Sequence, residues 1–561
     1  MFVKVTTSGP RKYVQLVEAY RDENGRPKQR TIATLGRLDK LGDELESVVE
    51  GLCRITGRSL PDKPDVAFES SRALGDVWAL TQLWNALGFD QLRKVFRGTR
   101  HSIQIESLIR IMVMNRLTSP DSKLGVLRWL ETVCIPGVSG MDKIDHQHLL
   151  RAMDALNEHQ AAVNDKVTEL LRPLIDQELS VVFYDMTTIR AEGLTQQANE
   201  LRQYGRSKEG GIRRQVMLGM VQTADGLPLY HEVFEGNTAE VKTLQPTVQT
   251  IIERFPVKRI IVVADRGLLS IDNLEELQQI TLPSGQPLEF ILAVPGRRYG
   301  DFEPILEPLQ SSVFADATAE VITESKWQKQ RLIIAHDPRR AADEIATRDA
   351  RIEALEQEAE RLAAKLDRQD EGEKARGRKL SDGGATARLY KEVSESGLAK
   401  IVKVNLKSPL FSYDVDASAL QQARLMDGKL LLVTNVQDLA PDEVVRHYKS
   451  LADIERGFKA LKSDIEIGPV YHRLPERIRA HAMICFIALV LHRVMRMRLK
   501  AADSAHSPMR ALAQLRRIQY HQASLNGSPV TGLSSMTSEQ LDILKALNIE
   551  KPTVSTDYLS L

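Results

Sequence analysis

Cysteine is nearly absent from this chain of 561 residues: Cys53, Cys134 and Cys485 stand far apart, without a C-x-x-C pair. That excludes a disulfide scaffold and a cysteine-rich zinc module, and it fits a reducing cytoplasm. Aromatic residues are scarce at 5%, which argues against an array of aromatic-rich β-repeats. No sign of charge dominates, since 76 Lys and Arg oppose 75 Asp and Glu, so the total names no partner. The opening MFVKVTTSGPRKY has no apolar run of secretory length. The most apolar stretch, 482–491 (AMICFIALVL), is about half of what a bilayer span needs. The expectation is a soluble intracellular protein without a membrane partner. What is present is 42% apolar and 27% charged residues, enough for a real core, in a length that suggests about three to five domains or lobes.

The neutral total hides segregated charge. Residues 1–37 carry eight Lys or Arg against three acids, and 446–500 carry twelve against five. The first of these segments reads as a hairpin: 13–20 (YVQLVEAY) alternates like a strand, Asn24-Gly25 supplies a turn and 29–34 returns. Such a basic hairpin suits either DNA phosphates or plain solvent. Helical periodicity runs from about 70 to 176. Within it His146-x-His148 does not present two ligands on one helix face, so no metal site is read there.

Near residue 179 the period changes. Apolar runs at 179–185 (LSVVFYD), 259–265 (RIIVVAD) and 288–294 (LEFILAV) read as buried strands, and 213–234 reads as a hairpin. With helices at 243–254 and from Ser270 as N-cap, the order is β-β-β-α-β-α-β. Beyond it, 327–335 and 429–436 look like strands. Between them Ile345, Ile352, Leu355, Ala359, Leu362 and Leu366 mark a charged helix with a/d spacing, expected to pack back on the protein. Residues 371–387, rich in glycine, read as a mobile link.

Two of the buried strands end in a carboxylate, Asp185 and Asp265. Taken singly, each reads first as a cap of the loop that follows. On adjacent strands the pair would repel unless a cation lay between them, and an all-oxygen site suits Mg²⁺ or Mn²⁺ rather than zinc. On the basic segment, Tyr448, Glu455 and Lys462 are seven residues apart, close to one face of a single helix. By itself that face reads as a solvated surface.

Together these blocks resemble the DDE transposases of bacterial insertion sequences, the IS-four-like group with the signature Y-x2-R-x3-E-x6-K. Tyr448, Glu455 and Lys462 match it, while Leu451 stands in the place of the arginine, whose role passes to Arg446 or Arg456. Phe183-Tyr184-Asp185-Met186-Thr187-Thr188 is similar to the first-Asp block and Val263-Ala264-Asp265-Arg266-Gly267 to the second. Tyr204-Gly205-Arg206-Ser207-Lys208 is similar to the Y-G-x-S-K stretch and Gly236-Asn237-Thr238 to the G-N-x element. The likeness covers about residues 70–500.

The resemblance implies an α/β fold: a ribonuclease H-like mixed-sheet core, a helical region before it and a long insertion before the catalytic-Glu helix. In that core the first and fourth strands are neighbours. The implied division is a basic hairpin region at 1–69, a helical DNA-binding region at 70–177 and the core at 178–299 and 441–500. The insertion spans 300–440, and a C-terminal region spans 501–561. Asp185, Asp265 and Glu455 would be catalytic and would hold two Mg²⁺ or Mn²⁺ ions. Tyr448, Lys462, Arg446, Arg456 and Lys208 would contact DNA, with Arg473, Arg477 and Arg479 beyond them. Trp327 reads either as a core residue or as a platform for a flipped base. The activity implied is cleavage at the terminal inverted repeats and strand transfer into target DNA, by a homodimer in the synaptic complex, in the bacterial cytoplasm at the nucleoid. No protein nucleophile or ATP is needed, and no G-x-x-x-x-G-K-[ST] loop is present. A silent DNA-binding regulator and a nuclease without strand transfer are the alternatives.

Overall fold

The computed structural model describes residues 1–42, 45–57, 66–98, 103–138, 143–175, 179–193, 200–239, 242–255, 259–264, 271–282, 284–372 and 379–553. The chain divides into two compact units, 1–71 with 520–533, and 72–519 with 534–561.

In the smaller unit, β1 (Phe2–Ser8), β2 (Arg11–Arg21) and β3 (Pro27–Arg37) form an antiparallel sheet in that order. The predicted turn is present: the Asp22 carboxylate accepts from the backbone N–H groups of Asn24 and Arg26, and Gly25 takes φ +73°. β1 was not expected, because FVKVTTS has no buried residue and so shows no buried face to read. β4 (Val66–Ala73) joins a second sheet whose middle strand is Gln519–Leu525 and whose far edge is Ser528–Leu533. The stretch 501–561, expected as a region of its own, thus lends two strands to the N-terminal unit.

The larger unit opens with the helices expected from the 3.6-residue period, including Gly75–Ala86, Ile105–Thr118, Lys123–Leu130, His146–Glu158 and Gln160–Leu171. His148 is spent at the start of its helix, where its N–H bonds the Asp145 carboxylate at 2.9 Å and its ring accepts from the Asp145 N–H. Ile105–Thr118 is buried nearly all round, and Glu106 on it accepts from the Trp84 indole at 2.8 Å. The apolar stretch 482–491 lies inside helix Pro475–Ala501, which is long and apolar enough to cross a membrane; 94% of its most apolar window is buried inside the protein.

The central sheet is built from β5 (Leu179–Arg190), β6 (Gln203–Arg206), β7 (Ile212–Thr223), β8 (Pro228–Glu235), β9 (Arg259–Ala264) and β10 (Glu289–Ala293). β5, β7 and β8 are antiparallel neighbours, and β5, β9 and β10 run parallel. Helices Leu244–Arg254 and Ile271–Gln279 make the crossovers, so the predicted strand and helix order is present with the short β6 added. Ser270, the expected N-cap, lies outside the described residues.

The insertion differs from its expectation. Rather than one strand at 327–335, there is a hairpin of β11 (Val321–Trp327) and β12 (Gln330–His336), turned at Gln328 with φ +55°. It extends the central sheet through β15 (Lys429–Thr434) onto β10. Strands β13 (Val402–Val404) and β14 (Tyr413–Val415) form a small separate pair. The charged helix Pro338–Asp370 packs on helix Asp382–Ser396, whose first six residues fall within the expected link 371–387. Ile352, Leu355, Ala359 and Leu362 meet Ala385, Leu389 and Val393 there. The a/d stripe thus finds its partner within the insertion and makes a second hydrophobic core.

Candidate active site

Asp185 is half way along β5, not at its end, because antiparallel pairing with β7 carries β5 on to Arg190. The parallel ladder, by contrast, is described up to the pair Tyr184↔Ala264. Asp185 therefore stands where the first strand passes the last described residue of β9. Asp265 follows Ala264 in sequence and, with Arg266 and Gly267, lies outside the described residues. Among the described residues no three His, Cys, Asp or Glu side chains gather as a metal site.

The Asp185 side chain is 16% exposed and accepts at Oδ1 from the Met186 N–H at 2.7 Å and the Lys208 ammonium at 3.4 Å. Lys208 is held on the tip of the β6–β7 hairpin. Its N–H donates to Thr188 Oγ1 at 3.2 Å, and its ammonium also donates to the Met186 carbonyl. Gly210 and Gly211 at that tip take φ +98° and +75°, a turn that side chains rarely allow. The next residue, Glu209, accepts from the Lys462 ammonium at 2.9 Å. Lys208 thus lies on the hairpin tip beside Asp185, and Lys462 reaches the same tip through its neighbour Glu209.

The single helix expected for Tyr448, Glu455 and Lys462 is broken. Helix Pro441–Lys449 stops, the Leu451 N–H bonds back only to the Tyr448 carbonyl, and helix Ala452–Lys459 begins anew. A π-helical turn, Ala460–Asp464, follows. The even seven-residue spacing therefore does not trace one continuous α-helical face. The break falls at Leu451, which packs partly buried against the core, as does Tyr448. Glu455 is exposed on a helix packed against β5. Arg446 pairs with Glu443 at 3.1 Å, and Arg456 is exposed beside Glu455.

Beneath this helix lies a polar layer that sequence reasoning missed. Gln222 of β7 and Arg493 of the long helix are buried against Gly457. His492, 4% exposed, reaches Asp464 of the π-helical turn at 3.6 Å and holds that carboxyl below its ordinary range. The signal in the sequence was the His492-Arg493 pair that directly follows the apolar run 482–491. Of the other expected contacts, Arg477 is engaged by Asp154 at 2.7 and 2.8 Å. The Trp327 ring packs on Phe302 with centroids 5.1 Å apart, and the Arg298 guanidinium lies 5.9 Å from its centroid.

Residues 176–491 match the family model described as the transposase DDE domain, a span of more than half the chain. The chain belongs to the DDE transposases. Residues 3–65 of the transposase match the N-terminal domain of IS1634 family transposases. It is a DNA-cleaving enzyme of insertion-sequence transposition. Among solved structures, it is similar to the cryo-EM structure of a piggyBac transposase synaptic complex with hairpin DNA. That likeness has 8% identity, covers 78% of this chain and 75% of that one, and has a TM-score of 0.37. No curated protein sequence matches the transposase.

Proposed function

We propose that the transposase cuts at the ends of its insertion sequence and joins the freed 3′ ends to target DNA. Asp185, Asp265 and Glu455 would hold two Mg²⁺ or Mn²⁺ ions. The observation that carries this is the adjacency of β5 and β9, with the Glu455 helix packed against β5. The β8-β7-β5-β9-β10 strand arrangement supports a ribonuclease H-like core.

The donors fit such ions. All three are carboxylates, the Asp185 carboxylate already attracts a cation in Lys208, and the Glu455 side chain has no ion-pair partner among the described residues. Bound there, the ions would supply a nucleophilic water or 3′-hydroxyl and would stabilise the charge on the leaving 3′-oxygen. The chain's own residues do the positioning. Lys208 and Lys462, both at the tip of the β6–β7 hairpin, would offer two ammonium groups for phosphates next to the scissile one. Tyr448, with Arg446 or Arg456 in place of the signature arginine, would extend that contact along the strand, and Trp327 would sit farther out on the insertion. Residues 1–69 and 70–177 would grip the terminal repeat, and a homodimer would bring two ends together.

Incubation with duplexes from the DNA flanking the gene, with Mg²⁺, is expected to give 3′-end cleavage and joined products. A chelator should remove both, and added Mn²⁺ should restore them. Cleavage without joining would indicate a nuclease, and binding without either a regulator. The Glu455 helix gives a finer test. A Cβ on Gly457 would meet Gln222 Nε2 at 2.6 Å and an Arg493 nitrogen at 3.2 Å, so Gly457→Ala must displace either these buried side chains or the helix that rests on them. Cleavage is expected to fall about 10²-fold, as a displaced catalytic group costs, with DNA affinity kept in a gel-shift assay.

A further inference from the structure

Away from Asp185, a cleft of about 900 Å³ opens between the start of helix Lys123–Leu130 and residues 466–474. Its charge is one-sided. Lys123 is 6% exposed and has no carboxylate or carbonyl partner among the described residues. Arg116, equally buried, donates to the Glu466 carbonyl at 3.1 Å, while its Nε has no partner. His481 Nε2–H donates to the Ile467 carbonyl at 2.9 Å, with Nδ1 unbonded, and the His472 ring lies 5.7 Å from it. Burial and the neighbouring cations push the Lys123 amine down to about 8 and His472 to about 4. The acids at the rim do not compensate: Asp121 bonds the Ser122 N–H and Arg128, and Glu466 points to solvent. A buried ammonium beside a buried guanidinium, without a counter-charge, is costly to fold unless an anion completes it.

The cleft is joined to the strand that carries Asp185. The Val470 N–H donates to the Arg190 carbonyl, and the Glu192 N–H to the Val470 carbonyl, each at 2.9 Å. From Asp185 to Arg190 a strand covers about 16 Å, which DNA spans in about five base steps. We propose that this cleft binds a backbone phosphate of DNA flanking the cut, with Lys123 as its central charge and Arg116 beside it. The inference rests on the reading of Asp185 as part of the cutting site. A free phosphate shares the chemistry, but the cleft's continuity with β5 favours the polymer.

Two measurements test it, both in chelator so that binding is read without cleavage. In the intact protein, acetylation of Lys123 is followed by mass spectrometry with no addition, with the flanking duplex, and with inorganic phosphate. Shielding by the duplex and not by phosphate at equal phosphate concentration is expected. Shielding by phosphate alone overturns the DNA assignment, and shielding by neither overturns the site. The second measurement is the salt dependence of duplex binding by Lys123→Met, an uncharged replacement of similar length. Its log–log slope should be smaller by about 1, with Lys123→Arg close to wild type; an unchanged slope in Lys123→Met overturns the proposal. Asp185→Asn separates the two readings: loss of cleavage with Lys123 still shielded bears on the metal ligands alone, and loss of shielding in wild type bears on the cleft alone.

Discussion

Replacing Asp185 by Asn is expected to reduce strand cleavage by roughly 10³-fold or more, with the fold intact. A metal ligand that stabilises transition-state charge contributes several kcal/mol, and each ~1.4 kcal/mol is a factor of ten in rate. The substitution keeps the shape and keeps an oxygen for the Met186 N–H at 2.7 Å. It removes the negative charge that Lys208 faces at 3.4 Å. Lys208 retains its second anchor on the Met186 carbonyl, so the hairpin tip has no reason to move. The measurement is nicking of an end duplex in Mg²⁺, with thermal unfolding as the control for folding. Cleavage near the wild-type rate by a folded variant would remove Asp185 from the reaction.

The largest loss of stability is expected from Glu200→Leu. Glu200 is buried between two guanidinium groups: it accepts from Arg202 at 2.8 and 2.7 Å and from Arg214 at 3.4 Å. Arg202 also donates to the Glu192 carbonyl at 2.9 Å, tying the end of β5 to the β6–β7 hairpin whose tip holds Lys208. Removing the carboxylate leaves buried positive charge without its partner, a change that costs about 3–5 kcal/mol. Urea unfolding should show it as a lower midpoint with an unchanged slope. The pair also sets a pH dependence. The hydrogen bond from Arg202 is the first cause that holds the Glu200 carboxyl below its ordinary 4.5. Its contribution is therefore full above that value and is lost as pH falls through the lowered folded one. The wild type should lose stability on acidification below about pH 4.5, and Glu200→Leu should lose less over the same range.

Much of the central sheet was legible in the residues because its strands are buried on both faces. Runs such as RIIVVA and EFILA leave little choice of environment, and their spacing left room for the crossover helices. The heptad stripe of the insertion was legible from its a/d spacing, although its partner helix was not: Asp382–Ser396 carries Gly383 and Gly384 in its first turn and looks like a loop. β1 went unread because an exposed strand carries no apolar period. The break after Tyr448 went unread because TYR-to-LYS spacing counts residues, while a tightened turn at Leu451 and a π-helical turn at Ala460–Asp464 change the angle each residue adds.

By itself the order of residues determined the strand sequence, the three separated acidic blocks and the family to which they belong, since these are local patterns of burial and spacing. Only the tertiary structure decided that Lys208 and Lys462 meet at one hairpin tip, that Gln222 and Arg493 underlie the Glu455 helix while His492 reaches the π-helical turn after it, and that Lys123 lines a cleft beside Arg116. Two of those contacts, Lys462 with Glu209 and Gly457 with Gln222, join residues more than two hundred positions apart. Polar side chains in such places are recognised by what surrounds them in space, and a neighbouring charge leaves no period along the chain.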